Sequence, residues 1–122
     1  MEGIANRKEK VLKIAHALDE MKGIDTIALD LSKQNIWTDY FIITTVNSSA
    51  HLRGMYKNIK DVLDELCVEI LYGQKKIEND DWVLIDCGYF VIHFMNRELR
   101  EFYELEKLWF NSDILFQALK SS

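Results

Sequence analysis

Asp39-Tyr40-Phe41-Ile42-Ile43-Thr44-Thr45-Val46 is the stretch whose reading decides the fold. Aromatic and β-branched side chains fill it almost without interruption, which suits a strand buried on both faces. It predicts the central strand of a sheet. Asn47-Ser48-Ser49 follows and supplies helix N-cap chemistry. Beyond it Leu52, Met55, Tyr56, Ile59, Val62, Leu63 and Leu66 recur on one stripe, which predicts an amphipathic helix. A short strand at Val68–Tyr72 is expected after that helix.

Working back from the central strand, Ser32 to Thr38 is a short polar connection. Ile24 to Leu31 reads as a largely buried strand that pairs antiparallel with it. Val11, Ile14, Ala15, Leu18 and Met21 predict a first helix over about residues 5–21, with Gly23 placed to end it. Working forward, Gly73 to Asp80 is a polar loop. Trp82 to Asp86 and Tyr89 to Met95 form a hairpin around Gly88. Asn96 to Trp109 reads as a short helical segment laid on the sheet. Asn111 or Ser112 caps a final short helix with Ile114, Leu115 and Leu119. The expected fold is α/β (α+β): one domain over residues 1–122, core about 5–110, with a mixed five-stranded sheet flanked by two main helices.

The chain has 122 residues, 48% of them hydrophobic, no proline, and a formal net charge of −5. That length supports a core without metal or disulfide staples. An acidic chain is poorly suited to phosphate backbones and better suited to a basic protein partner. Cys67 and Cys87 form no CxxC motif and are expected to be reduced core thiols. The N-terminal MEGIANRKEKVLKIAHAL has no signal-like apolar run, and no window reaches the roughly 18 apolar residues of a membrane span. A cytoplasmic protein is expected.

Phosphate-binding, zinc-protease and nucleophile-elbow motifs are absent. His16 and His51 fall on predicted helices as surface or boundary residues. His93, between Ile92 and Phe94, reads equally as a binding residue or a half-buried core histidine. Asp80, Asp81 and Asp86 flank a strand, as acids do in Mg²⁺-dependent nucleotidyl transfer. That chemistry needs acids on one strand face, usually D-x-D. Asp81 and Asp86 are five apart and point to opposite faces, and Ile42, Thr44 and Val46 stand where a second strand would carry acids. Asp80-Asp81 reads more simply as a turn entry. A nucleotidyltransferase-like fold here would be catalytically disarmed. The tract from Arg97 to Trp109 is dense in charge and aromatics, as a solvated helix or as a recognition surface.

Asp39-Tyr-Phe-Ile-Ile43 followed by Ser48, then Trp82-Val-Leu-Ile-Asp86-x-Gly88-x-x-Val91-Ile-His93, then Arg100-Glu-Phe-Tyr-x-Leu105-Glu106-x-Leu108-Trp109 resembles the ribosomal silencing factor family, also called Iojap. The resemblance runs over about residues 8–110. It implies a mixed five-stranded sheet similar to nucleotidyltransferases without their catalytic acids. It also implies a non-enzymatic factor that binds the large-subunit ribosomal protein numbered fourteen, blocks subunit joining and represses translation under nutrient limitation. A weak homodimer in the free state is implied as well. Neither a cofactor, a metal nor direct sequence-specific nucleic-acid binding is expected. Two positions depart from the family pattern: Val46-Asn47-Ser48-Ser49 replaces a Gly-containing turn, and Tyr89 replaces a small acidic residue after the hairpin Gly.

Two other readings stand beside this one: a Mg²⁺-dependent enzyme, and a dimeric module with another partner. The expected docking surface is the hairpin and the segment after it, with Trp82, Leu84, Asp86, Tyr89, Val91, His93, Arg100 and Tyr103. By the period-two rule residues 82, 84 and 86 share one face, and 89, 91 and 93 share the same face on the neighbouring strand. Glu98, Glu101, Glu104 and Glu106 form an acidic ridge beside them.

Overall fold

A computed structural model of the chain describes residues 4–34, 38–73, 81–104 and 112–118. The strand expected at the centre is there as β2, Tyr40–Thr45, with every side chain buried. It lies between β1, Ile24–Asp30, antiparallel to it, and β5, Phe90–Met95, parallel to it. β5 pairs antiparallel with β4, Trp82–Asp86, and β4 with the two-residue β3, Tyr72–Gly73. On the far edge β1 pairs with β6, Asp113–Gln117. The sheet is therefore mixed but six-stranded rather than five-stranded as expected, in the order β3-β4-β5-β2-β1-β6, and β6 is the added strand.

Two helices of 17 residues, α1 at Ile4–Glu20 and α2 at Ser49–Glu65, cover one face. Val11, Ile14, Ala15 and Leu18 of α1 are fully buried, as the spacing predicts. So are Ile59 and Leu63 of α2, which meet Ile42, Ile85, Phe90, Ile92 and Phe94 of the sheet in one cluster. Ser48 caps α2, its Oγ accepting the His51 N–H at 3.0 Å. His51 joins the two helices: Nδ1 accepts from the Asn47 N–H and Nε2 lies 3.2 Å from the Met21 carbonyl. His16 stacks edge-on against Phe116. Both histidines sit at boundaries, as read. No helix among the described residues is long and apolar enough to cross a membrane.

Both long helices end in the same motif. The Gly23 N–H donates to the Leu18 carbonyl and the Lys22 N–H to Asp19; Val68 and Cys67 repeat this on Leu63 and Asp64. These are Schellman ends, whose left-handed residue is usually glycine. Here it is Lys22 (φ 68°) and Cys67 (φ 58°). Gly23 does not supply the left-handed turn expected of it. It is glycine for lack of room, since a Cβ there would stand 2.2 Å from Thr44 Oγ1 and 2.9 Å from the Leu18 carbonyl. Cys67 is exposed on its helix end rather than in the core; Cys87 is buried, and both are free thiols.

One further expectation changes, and another is met. The segment read as a final helix with Ile114 and Leu115 is strand β6, which satisfies the outer edge of β1 from Asp30 to Ile27. A five-residue strand with three apolar residues, Ile114, Leu115 and Phe116, fits either period, and the open backbone edge of β1 decides between them. Leu119 and Asn111, one of the two residues read as its cap, lie outside the described residues. The segment Arg97–Tyr103 is α3, capped by Asn96, whose Oδ1 accepts the Leu99 N–H at 2.8 Å. Residues 105–111 of the charged tract lie outside the described residues, as does the 74–80 loop.

Candidate protein-docking face

The sheet face opposite α1 and α2 is built from the alternate residues of the same strands. Ile27, Leu29, Phe41, Ile43, Val91 and Met95 form its buried floor. Among the described residues α3 is the one helix packed on it, through Leu99. Arg100 fastens α3 down, donating from Nη1 to the Ile24 carbonyl at 3.2 Å and to Thr45 Oγ1 at 3.0 Å. Asn96 ties the start of α3 to the residue before β4: its N–H donates to the Asp81 carbonyl and its Nδ2 to Asp81 Oδ1.

On the β4–β5 hairpin Trp82 lies opposite Met95, Leu84 opposite His93 and Asp86 opposite Val91. Directly opposed residues share a face, so Trp82, Leu84, Asp86, Val91 and His93 do stand together. Their depths differ. Trp82, Leu84 and Asp86 are half-buried, whereas Val91 is 0% and His93 5% exposed. Val91 and His93 are floor, with no surface to offer a partner. The Trp82 indole N–H donates to His93 Nδ1 at 3.1 Å. Its ring lies 5.1 Å from that of Tyr103, which is 46% exposed at the end of α3. Phe102 extends this series outward, 5.0 Å from Tyr103 and 78% exposed. Burial alone pushes the His93 imidazole down to about 4, so it is neutral at ordinary pH.

Tyr89 does not belong to this patch. β5 begins at Phe90, and Gly88 (φ 89°) and Tyr89 are the two turn residues closed by the Cys87 N–H on the Phe90 carbonyl. Positive φ at the first turn residue only is the II′ pattern, and the alternation of faces does not carry through such a turn. Tyr89 packs instead against the helical core, with the Arg7 guanidinium 4.8 Å over its ring. Its carbonyl accepts the Asp39 and Tyr40 N–H groups, locking the hairpin tip to the start of β2. Arg100 likewise uses its guanidinium on internal acceptors.

Tyr72 takes the place that Tyr89 vacates. It lies opposite Asp86 across the β3–β4 pair, which sets it on the Trp82 face, and it is 63% exposed. Period-two counting within the hairpin could not reach it, because its face is fixed by register on a neighbouring two-residue strand. Phe102 was visible as an aromatic in a charged tract, but α3 had to be placed before its exposure followed. The outer surface therefore runs from Tyr72 past Asp86, Leu84 and Trp82 to Tyr103 and Phe102. Glu98, Glu101 and Glu104 of the acidic ridge are all exposed beside it; Glu106 lies outside the described residues.

Asp81 and Asp86 are engaged in local hydrogen bonds. Asp86 Oδ1 accepts the Gly88 N–H at 2.8 Å and holds the turn, and Asp81 receives Asn96. Asp80 lies outside the described residues, among which no three His, Cys, Asp or Glu side chains gather as a metal site. Burial, with Asp86 adding to it, pushes the Cys87 thiol up to about 12, well away from the thiolate that a nucleophile needs.

The model of the family described as ribosomal silencing factor during starvation matches residues 4–121. The chain is 37% identical over 106 residues to the ribosomal silencing factor RsfS of Bacillus subtilis, covering 84% of this chain and 86% of that one. It is 39% identical over 89 residues to the mouse mitochondrial assembly of ribosomal large subunit protein 1, covering 70% of this chain and 38% of that longer one. A crystal structure of a Chromobacterium violaceum protein superposes with a TM-score of 0.74 at 30% identity, over 93% of this chain and 89% of the other. The chain belongs to the ribosomal silencing factor family.

Proposed function

We propose that the protein acts by binding the large ribosomal subunit through its ribosomal protein number fourteen, and that the Trp82 face is the docking surface. The observation that carries this reading is an aromatic series, half-buried Trp82 with exposed Tyr72, Tyr103 and Phe102, rimmed by glutamates on a member of this family. Tyr and Trp dominate interface energetics, and a contiguous apolar patch on a small protein marks a contact site. Trp82, Leu84, Asp86 and Tyr103 make the contacts; Val91, His93 and Arg100 support them from below, and Tyr89 holds the hairpin tip. The net charge of −5 complements a basic ribosomal-protein surface, so the association rate falls as salt rises.

Anchored in this way, a body roughly 30 Å across by compact-domain scaling blocks an incoming small subunit by its bulk alone. No reaction is needed, and the protein works in the cytoplasm as a repressor of translation rather than as a nucleotidyltransferase. While free, it pairs weakly with a second copy through the same face, and the ribosome competes with that dimer. The test is to add the protein to separated subunits and measure joined ribosomes on sucrose gradients. The expected result is a lower joined fraction, with the protein co-sedimenting with large subunits and no nucleotide consumed. Dependence on nucleotide hydrolysis, or undiminished joining at saturating protein, would overturn the reading.

A further inference from the structure

Trp82 sits half-buried in the middle of the aromatic series, and its indole N–H makes one hydrogen bond, to His93. An indole N–H only donates, so the His93 Nδ1 that receives it carries no proton. In the neutral imidazole the proton is then on Nε2. That atom is buried and has no hydrogen-bond partner among the described residues. The rest of the imidazole's surroundings is apolar: the edge of Phe41 at 4.4 Å between centroids, with Leu84 opposite on β4 and Ile43 opposite on β2. A buried N–H without an acceptor is unfavourable, and an aliphatic side chain would fill the same space without it. The only polar contact that the His93 side chain makes among the described residues is to Trp82.

The dependence runs the other way too. Trp82 is half-buried, so an indole N–H deprived of Nδ1 turns outward to water rather than staying where Nδ1 held it. The outer neighbour, Tyr103, is the last residue of a seven-residue helix and is itself exposed, so it follows Trp82 rather than fixing it. His93 is anchored within two ladders, in the middle of β5.

We propose that His93 is a positioning residue for docking: buried beneath the face and touching no partner, it holds the Trp82 indole in the orientation that the partner meets. This rests on the docking reading above. It differs from a contact role, because His93 acts only through Trp82, and from a filler role, because what matters is the acceptor at Nδ1.

The test uses the full chain with H93L, which removes the acceptor, and H93N, whose Oδ1 takes the place of Nδ1. The Trp82 indole signal is identified among those of Trp37, Trp82 and Trp109 by its loss in W82F, and its proton exchange is measured. H93N is expected to keep the native exchange rate, and H93L to exchange about three- to ten-fold faster. Large-subunit co-sedimentation is expected to weaken about three- to ten-fold in H93L and to recover in H93N. In a W82A background H93L is expected to weaken docking no further.

Native exchange in H93L would overturn the proposal. So would an H93L defect that persists undiminished in the W82A background. Should H93L not fold, H93N decides by itself: native exchange supports the proposal and exchange ten-fold faster overturns it. If W82A docks as the native chain does, the docking reading has failed, and the indole exchange still judges whether His93 holds Trp82.

Discussion

The two faces of this sheet alternate along the same strands and are built of different material. Toward α1 and α2, β5 presents Phe90, Ile92 and Phe94, all fully buried in the cluster they form with the helix residues. Toward α3 it presents Val91, His93 and Met95, buried too, but beneath a layer of half-exposed and exposed aromatics. The first face is closed by two helices of 17 residues, the second, among the described residues, by one of seven. A face closed by long helices is spent on stability. A face with a buried floor and an aromatic upper layer keeps area for something else, and its one buried imidazole serves that layer.

The widest separation between the faces comes from one residue of each. Phe94→Ala is expected to destabilise the fold by about 3–5 kcal/mol, the range for a deleted core aromatic. A folded fraction that survives would bind the ribosome normally. Trp82→Ala is expected to weaken docking by about 2–4 kcal/mol while unfolding the chain much less. Urea unfolding and large-subunit co-sedimentation, run on both variants, check this. Equal effects of the two variants on both measurements would erase the distinction between the faces.

The helical face was largely legible in the sequence. Val11, Ile14, Ala15 and Leu18, and Leu52, Met55, Ile59 and Leu63, lie on stripes that only a buried helix side explains, and all are buried. The central strand and both hairpins followed from residue type and short connections. The other face was half legible. Trp82, Leu84 and Asp86 share it by simple alternation, but alternation fails for Tyr89, because the turn with a positive φ at Gly88 interrupts it. Tyr72 was invisible because register between distant strands, not local spacing, sets its face. β6 is not legible because Ile114-Leu115-Phe116 has no period long enough to tell strand from helix, and the open edge of β1 that captures it is a tertiary fact.

A pH titration sharpens the contrast through the one histidine between the layers. Folding lowers the His93 pKa from 6.5 to about 4. Between those values the unfolded chain binds a proton that the folded chain refuses, so stability rises with pH across that window. The contribution is complete above about pH 6.5 and is lost progressively down to about pH 4. The whole span amounts to about 3 kcal/mol. Urea midpoints at pH 4.5 and 7, for the native chain and H93N, measure it. The native chain is expected to lose more stability than the variant on acidification; equal losses would place the acid sensitivity elsewhere.

The two tyrosines test the face assignment directly. Tyr72→Ala is expected to weaken docking about ten-fold, near 1.4 kcal/mol, with stability almost unchanged for so exposed a side chain. Tyr89→Ala is expected to do the reverse: docking stays within about two-fold while the fold loses about 1 kcal/mol with the Arg7 and core contacts. Co-sedimentation and thermal unfolding of the pair settle it, and a docking loss confined to the Tyr89 variant would return that residue to the docking face.

The smallest effect is expected at the end of α2, on the helical side. Cys67 holds the left-handed position of a Schellman end at φ 58°, where a side chain is strained by roughly 1 kcal/mol and glycine is not. Glycine also widens the unfolded ensemble, which removes part of that gain. The net expectation for Cys67→Gly is a stabilisation of about 0.5 kcal/mol, or about 2 °C in Tm for a chain of this length. Cys67→Val is the informative control. A β-branched side chain fits the left-handed region worst, so it is expected to destabilise by about 1 kcal/mol or more. The thiol itself is exposed and free, so neither change opens a cavity or breaks a bridge. Docking should be the same for both variants, because the residue belongs to the helices and not to the Trp82 layer. Calorimetry orders the three chains as Gly above Cys above Val. An order with Val above Cys would mean that backbone strain is not what the position feels, and a docking change in either variant would mean that the two faces are coupled through the end of α2.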